Sequence, residues 1–482
     1  MVRGAGPMNK HLSESQWKYF PIVLSVAFAS FMARCNNYIV NISLPSISQY
    51  FHLGTGEVSR IVVSYLLVIT CTLLLFGKLG DRFGLKRIFT WGYFAFVGGS
   101  LLCGVAWSIF ALIFFRCLQG LGAAMLLATS FAIISKFLPK DRLGWAFGIT
   151  STSSALGVAT GAPLGGIITG YLSWHWIFLL NVPFGIAAIY VAGRSIPSEA
   201  ALSETPSSER ERFDLLGVLV SFACLSSLLG ALNNGRQMGW GSFPILSLFL
   251  LSAALLGLFI IRERRCKNPL LDLHLFLNLK FTFALLATFM AYLLISGNAF
   301  LLPFYLELVK GLNTQQSGMV LLVYSLIYVF LSSSAGRLSD RVIPAVLCIV
   351  AMISATLCSL TFSFTLQMQG LWPVLVFLVW LGLSLVLFFS PNNNQVMNQA
   401  PEGKQGTVSG IFNTTTNLSM AMGVALFEAV FSGVLPEGAM RSLRLGEISS
   451  HEVITGFSHA YMLGGLVCFC ALMFSFLTRR KG

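Results

Sequence analysis

The sequence is short of charge. Only 10% of its 482 residues are charged, against 56% hydrophobic, and acids are the scarcer sign, with 18 Asp and Glu beside 31 Lys and Arg. A soluble domain carries about a quarter charged residues. So few charges cannot cover the surface of a water-soluble fold this long, so the surroundings must be largely lipid. Paired cysteines are also missing. The ten cysteines include Cys71, Cys103, Cys224, Cys348 and Cys468 inside apolar runs, and no Cys-x-x-Cys occurs. That excludes a disulfide framework and a thiolate metal or redox pair. Catalytic constellations are lacking too: there is no H-E-x-x-H, no G-x-S-x-G and no Walker loop, and the six histidines are scattered. The chain is therefore expected to be no enzyme, to need no cofactor or metal, and not to be driven by its own ATP site. The net charge of +13 does not gather on one face or arm, so no nucleic-acid partner is expected.

What is present is a series of apolar runs. A spanning helix takes roughly 20 mostly apolar residues, and fourteen candidates fit: about 18–43, 57–79, 87–107, 109–137, 144–170, 175–194, 214–233, 244–262, 280–304, 317–338, 343–366, 372–397, 405–434 and 454–478. Runs of this length are helices, because barrel strands would be about half as long. The basic residues then set orientation. With the N-terminus in the cytoplasm, Lys78, Arg82, Lys86, Arg87, Lys136, Lys140, Arg142, Arg194, Arg262, Arg264, Arg265, Lys280, Arg337, Arg341, Lys404 and Arg479 all fall inside. Arg60, Arg236, Lys310, Arg441 and Arg444 fall outside. This asymmetry requires an even number of spans with both ends cytoplasmic. The polar start, up to Lys18, is expected not to be a cleaved signal. Residues 195–213, rich in Ser, Glu and Pro, read as a cytoplasmic linker, and 435–453 as an external loop.

The chain also repeats itself. Gly77-Lys78-Leu79-Gly80-Asp81-Arg82 recurs as Gly336-Arg337-Leu338-Ser339-Asp340-Arg341, at an offset of 336 − 77 = 259. Leu44-Pro45 recurs as Leu302-Pro303, at 302 − 44 = 258, and Gly144-x-x-x-Gly148 as Gly406-x-x-x-Gly410, at 406 − 144 = 262. Nearly constant offsets indicate two parallel six-helix halves with two helices inserted between them. The expected division is 1–194 for the N-terminal bundle, 195–213 for the linker, 214–262 for the inserted pair and 263–482 for the C-terminal bundle.

These residues resemble a known family. The run 77–87 is similar to the helix 2–3 loop signature of the major facilitator superfamily, and Arg116-x-x-Gln119-Gly120-x-Gly122 to its helix-4 motif. Trp174 to Pro183, Phe213-Asp214-Leu215-Leu216-Gly217 and Pro269-Leu270-Leu271-Asp272-Leu273 resemble the fourteen-helix drug:proton antiporter branch. The resemblance covers nearly the whole chain. It implies a secondary active transporter in the cell membrane, of bacterial inner-membrane type. Such a protein would work by alternating access, as a monomer, and export a small amphipathic compound, with protons as the coupling ion. The alternative is a transporter for a specific anionic or zwitterionic metabolite.

The family motifs point to particular residues. In the loop signature Gly77, Asp81, Arg82, Gly84, Lys86 and Arg87, with Asp340 and Arg341 in the repeat, are expected to gate, Asp81 facing the N-terminus of helix thirteen near Gly403. Gly157, Gly161 and Gly165, with Gly166 and Gly170 beside them, form a small-residue groove on helix five. It resembles the antiporter motif, but Ala162 intervenes before Pro163. In helix one the family usually has Asp where Asn36 stands, so its proton site is missing, while Arg34 adds a charge. Arg34, Asn37 and Asn41 share one helical face. Arg34 and Arg116, charges inside apolar runs, mark function by default. Gln119, Asn413 and Asn417 are polar candidates beside them. Glu428 is the best deep acidic coupling candidate, and Glu307 the second. Replacing Asp81 by Asn is expected to shift the protein away from outward-open states and lower transport while leaving insertion intact. Cysteine accessibility from each side reports this, and unchanged accessibility with full transport would contradict it.

Overall fold

The computed structural model describes residues 8–139, 142–197, 215–266, 273–339, 342–399, 405–435 and 450–479. The expected linker and external loop lie almost wholly outside the described residues. The described residues are all-helical and form fourteen long helices. The first six are α1 (Met8–Phe51), α2 (Thr55–Phe83), α3 (Leu85–Gly104), α4 (Ile109–Phe137), α5 (Leu143–Tyr171) and α6 (Trp176–Ser195), the last stepping at Leu180. Then come α7 (Leu215–Met238) and α8 (Phe243–Arg265). The last six are α9 (Leu279–Leu308), α10 (Thr314–Ser339), α11 (Pro344–Thr365), α12 (Trp372–Asn398), α13 (Gln405–Val434) and α14 (Ser450–Arg479). Among the described residues, twelve of them are long and apolar enough to cross a membrane. The other two, α3 and α5, are diluted by Lys86 and Arg87 in one case and by Gly, Ser and Thr in the other.

Two six-helix bundles carry the architecture. In the first, α1 packs on α5, α4 on α2 and α3, and α3 on α6; in the second, α9 packs on α13 and α14, α11 on α12 and α14, and α10 on α12. The bundles meet where α5 packs on α10, α2 on α13 and α1 on α9. The extra pair sits outside this frame: α7 lies along the α2–α13 seam, and only 11% of the apolar window of α8 is buried. Arg60 Nη2 donates to Asn234 Oδ1 at 2.7 Å, fastening α2 to α7.

Glycine sets how closely the helices approach. A Cβ on Gly157, Gly161 or Gly165 would lie 2.6, 2.9 and 2.7 Å from the carbonyl oxygens of Phe31, Cys35 and Ile39 on α1. The regular spacing of four thus gives a face on which two backbones touch, and dispersion replaces the hydrophobic driving force that lipid does not provide. At the end of α2, Gly84 adopts φ 100° and returns its N–H to Gly80 O at 2.9 Å, making the tight turn into α3. Overpacking a close contact costs about 1–3 kcal/mol. Gly157→Val is therefore expected to lower the thermal unfolding temperature of detergent-purified protein by several degrees, and an unchanged transition would contradict the packing argument.

Candidate functional site

Polar side chains inside the first bundle build one network. Asn36 and Gln119 meet amide to amide: Gln119 Nε2 donates to Asn36 Oδ1 at 3.2 Å and Asn36 Nδ2 donates to Gln119 Oε1 at 3.4 Å. Gln119 Nε2 also donates to Ser100 Oγ at 2.6 Å, and Asn181 Nδ2 donates to Asn36 Oδ1 at 3.3 Å. Arg116 Nη1 donates to Gln119 Oε1 at 2.6 Å, and its Nε to the Ile61 carbonyl at 3.2 Å. The guanidinium stands over the Tyr65 ring, 4.0 Å from its centroid. Arg116 is wholly buried, and its Nη2 has no hydrogen-bond partner. A desolvated cation–π contact is worth about 2 kcal/mol and a hydrogen bond to a charged group about 1.5–3. Together they hold a buried charge that among the described residues meets no carboxylate.

A cavity lies between the bundles. Tyr38 and Asn41 of α1, Ala162 of α5, Asn298 of α9, Tyr324 of α10 and Phe377 of α12 are among its walls. Arg34, one turn before Tyr38, is half-buried and reaches Met420 Sδ at 3.8 Å across the bundle boundary. It stands within electrostatic range of Tyr38, Tyr292 and Tyr328. Arg116 and Gln119 are not in the cavity wall, nor are Glu428 and Glu307. Asn413 and Asn417 give their amide hydrogens to carbonyls one turn back, Ser409 at 3.0 Å and Asn413 at 2.8 Å.

The two acids lie where the bundles close on the outer side. Glu428 is buried, and Thr55 Oγ1 donates to its Oε1 at 3.2 Å. Thr55 opens α2, so the carboxylate of one bundle stands beside a helix N-terminus of the other, where partial positive charge gathers. Glu307 Oε1 accepts from Thr314 Oγ1 at 2.9 Å, and that hydroxyl is 2.9 Å from Ser46 Oγ of α1. Gln315 Nε2 donates to Tyr171 OH at 3.0 Å. A Cβ on Gly166 would lie 2.8 Å from Thr314 O and 2.9 Å from Gly318 Cα. The same face of α5 that carries Val158 and Ala162 in the cavity carries Ser151, exposed, toward the cytoplasmic end. Gly77 and Gly148 have open space where a Cβ would stand. The bundles thus touch at the end opposite the chain termini, through Glu428 on Thr55 and Gly166 on α10. In the loop signature Arg82 and Arg87 are exposed and Lys86 is half-buried, while the Asp81 side chain, Gly403, Asp340 and Arg341 lie outside the described part.

Sequence reading did not single out Asn181, Asn298, Tyr65 or the tyrosines of α9 and α10 as site residues. Asn298 left one signal, an amide inside the apolar run of α9. The tyrosines left none, because α1, α9 and α10 bring them together from far apart in the chain.

Two repeat-related bundles enclosing a cavity shut at one end define a transporter of the alternating-access kind. The family model of the Major Facilitator Superfamily matches residues 26–424, and the chain belongs to that superfamily. It is 33% identical over 462 residues to the riboflavin transporter RibZ of Clostridioides difficile, covering 95% of this chain and 97% of that one. It is 29% identical to the tetracenomycin C resistance and export protein of Streptomyces glaucescens, covering 89% of this chain and 77% of that protein. Among solved structures, a bacterial homologue of the human lysosomal transporter Spinster shares the fold with a TM-score of 0.65 at 14% identity, covering 99% of this chain and 98% of that one.

The glycine contact at the outer seam is directly testable. Gly166→Leu is expected to block closure against α10 and favour the outward-open form. A cysteine placed at Ser46 should then label from outside at least several-fold faster, and unaltered labelling would contradict the assignment of this seam.

Proposed function

We propose that the protein exports small amphipathic compounds from a bacterial cell across its inner membrane, and that it prefers neutral, zwitterionic or anionic compounds to dications. The observation that carries this reading is the cavity. Its wall combines tyrosine, phenylalanine and leucine with amides and contains no acidic side chain, while Arg34 stands one turn away. In a medium of low dielectric constant an uncompensated positive charge repels a cation strongly, and a guanidinium pairs readily with a carboxylate or phosphate. Asn36, bonded to Gln119 and Asn181, supplies an amide where the resembled branch has a titrating acid. Export is supported by the tetracenomycin C relative, and the riboflavin transporter makes a flavin the first compound to test.

In this reading protons couple through Glu428, with Glu307 beside the same outer closure. An ionised Glu428 favours the outward-closed arrangement at Thr55, and protonation releases it. Transport by proteoliposomes is the test, with matched anionic, neutral and dicationic compounds measured across a pH series for the unmodified protein, Arg34→Ala and Glu428→Gln. The neutral and anionic compounds should move at least about tenfold faster than the dication, and Arg34→Ala should narrow that gap. Glu428→Gln should flatten the pH dependence. Efficient dication transport by the unmodified protein would refute the charge argument, and an unaltered pH profile in Glu428→Gln would remove it from coupling.

A further inference from the structure

The cavity wall carries hydrogen-bond acceptors that the protein leaves unused. Asn298 gives its Nδ2 hydrogen to the Leu294 carbonyl of its own helix at 2.9 Å, which fixes the amide orientation, and its Oδ1 has no partner. Asn41 Oδ1 on α1 likewise has none. The two residues are only 6% and 3% exposed, and both belong to the wall. An unpaired buried amide oxygen costs about 1–3 kcal/mol, and these two belong to residues of one cavity wall, on opposite bundles. Such a pair calls for an occupant that donates.

The backbone adds to the same tally. Proline has no N–H, so inside a helix it leaves the carbonyl four residues earlier without its usual donor. Pro45 lies inside α1 and Pro303 inside α9. The carbonyls they release belong to Asn41 and Ala299, which both line the cavity. The two positions are related by the repeat, since 299 − 41 = 258 is the offset that also relates Leu44-Pro45 to Leu302-Pro303. Each bundle therefore brings one proline-released carbonyl and one orphan amide oxygen. Of the hydroxyls in the wall, that of Ser325 turns back to the Leu321 carbonyl at 3.5 Å. Tyr38, Tyr324 and Phe377 supply flat surfaces.

We propose that this acceptor set is a recognition site for a neutral planar ring with an N–H edge of the imide or ureide type, read by Asn41 and Asn298 from the two bundles. The proposal rests on the transporter reading above and adds the group that the cavity selects. An ammonium ion would also suit carbonyl oxygens and aromatic faces, but no carboxylate of the wall balances it and Arg34 lies one turn from Tyr38. An N–H edge satisfies the oxygens without bringing in charge. A site built around a substrate donor discriminates strongly against the analogue without it, because its own acceptors are then left buried and unpaired. Reading the edge from both bundles also ties occupancy to their relative position, as alternating access requires.

The test uses full-length protein in lipid nanodiscs with naphthalimide, a neutral planar imide, and its N-methyl derivative, which keeps the ring and loses the donor. Naphthalimide should bind at least tenfold more tightly to the unmodified protein. Asn298→Leu and Asn41→Leu should each reduce that preference several-fold while leaving affinity for the N-methyl compound nearly unchanged, which a folding defect would not do. Equal affinity for the two compounds would overturn the proposal and leave the oxygens to water. Absence of binding by either compound, in protein that transports other amphipathic molecules, would overturn it as well. Both results leave the transporter reading standing; that reading fails separately if proteoliposomes move no amphipathic compound at all.

Discussion

Hydrocarbon offers a polar group no hydrogen bond, and the whole structure answers to that constraint. It makes every span a helix, because only a helix pairs its backbone within itself. It also determines where polar side chains can stay. Ser43, Thr70, Ser100 and Thr150 each return a hydroxyl hydrogen to the carbonyl four residues earlier, so they add no polar demand to the packing. Asn36, Gln119, Asn181 and Arg116 hydrogen-bond to one another within one bundle, leaving Arg116 Nη2 unpaired. The unpaired oxygens of Asn41 and Asn298, by contrast, belong to residues that line the cavity between the bundles.

Much of the architecture was legible because it is written in periodicities. The lengths of the apolar runs gave fourteen helices, and the offset near 258 tied Pro45 in α1 to Pro303 in α9 before either was placed in space. The glycine spacing on α5 announced a close contact but not its partners. A spacing of four marks one stripe, and nothing in it tells that Gly157, Gly161 and Gly165 meet α1 whereas Gly166 meets α10. The candidate site was harder to read. Arg116 and Gln119 are neighbours on one helix and could be grouped by sequence alone. The cavity joins Tyr38, Asn298 and Tyr324, whose convergence depends on helices separated by hundreds of residues.

The two faces of α5 also separate contacts within a bundle from contacts between bundles. The contact with α1 lies within a bundle, where backbone touches backbone over two turns. The contact with α10 joins the bundles and includes the Gln315–Tyr171 hydrogen bond and the close approach of Gly166 to Gly318. The inserted helices fit the same logic: α8 faces lipid, whereas α7 lies along the α2–α13 seam and is held by Asn234 to Arg60, close to the outer closure rather than the cavity.

Asn36 shows how one substitution alters the electrostatics of a bundle without undoing its packing. An aspartate there would place a carboxylate beside Gln119, within the network that holds Arg116. An asparagine keeps nearly the same shape and, unlike an ionised carboxylate, both donates and accepts, which the amide-to-amide contact with Gln119 requires. Arg116 is held by Gln119, the Ile61 carbonyl and the Tyr65 ring. With no carboxylate in that network and none in the cavity wall, the acids described at the bundle seam, buried Glu428 and half-buried Glu307, stand where the bundles touch beside Thr55 and Thr314. The carboxylates of the seam thus stand apart from the cavity wall, whose polar side chains are amides and hydroxyls.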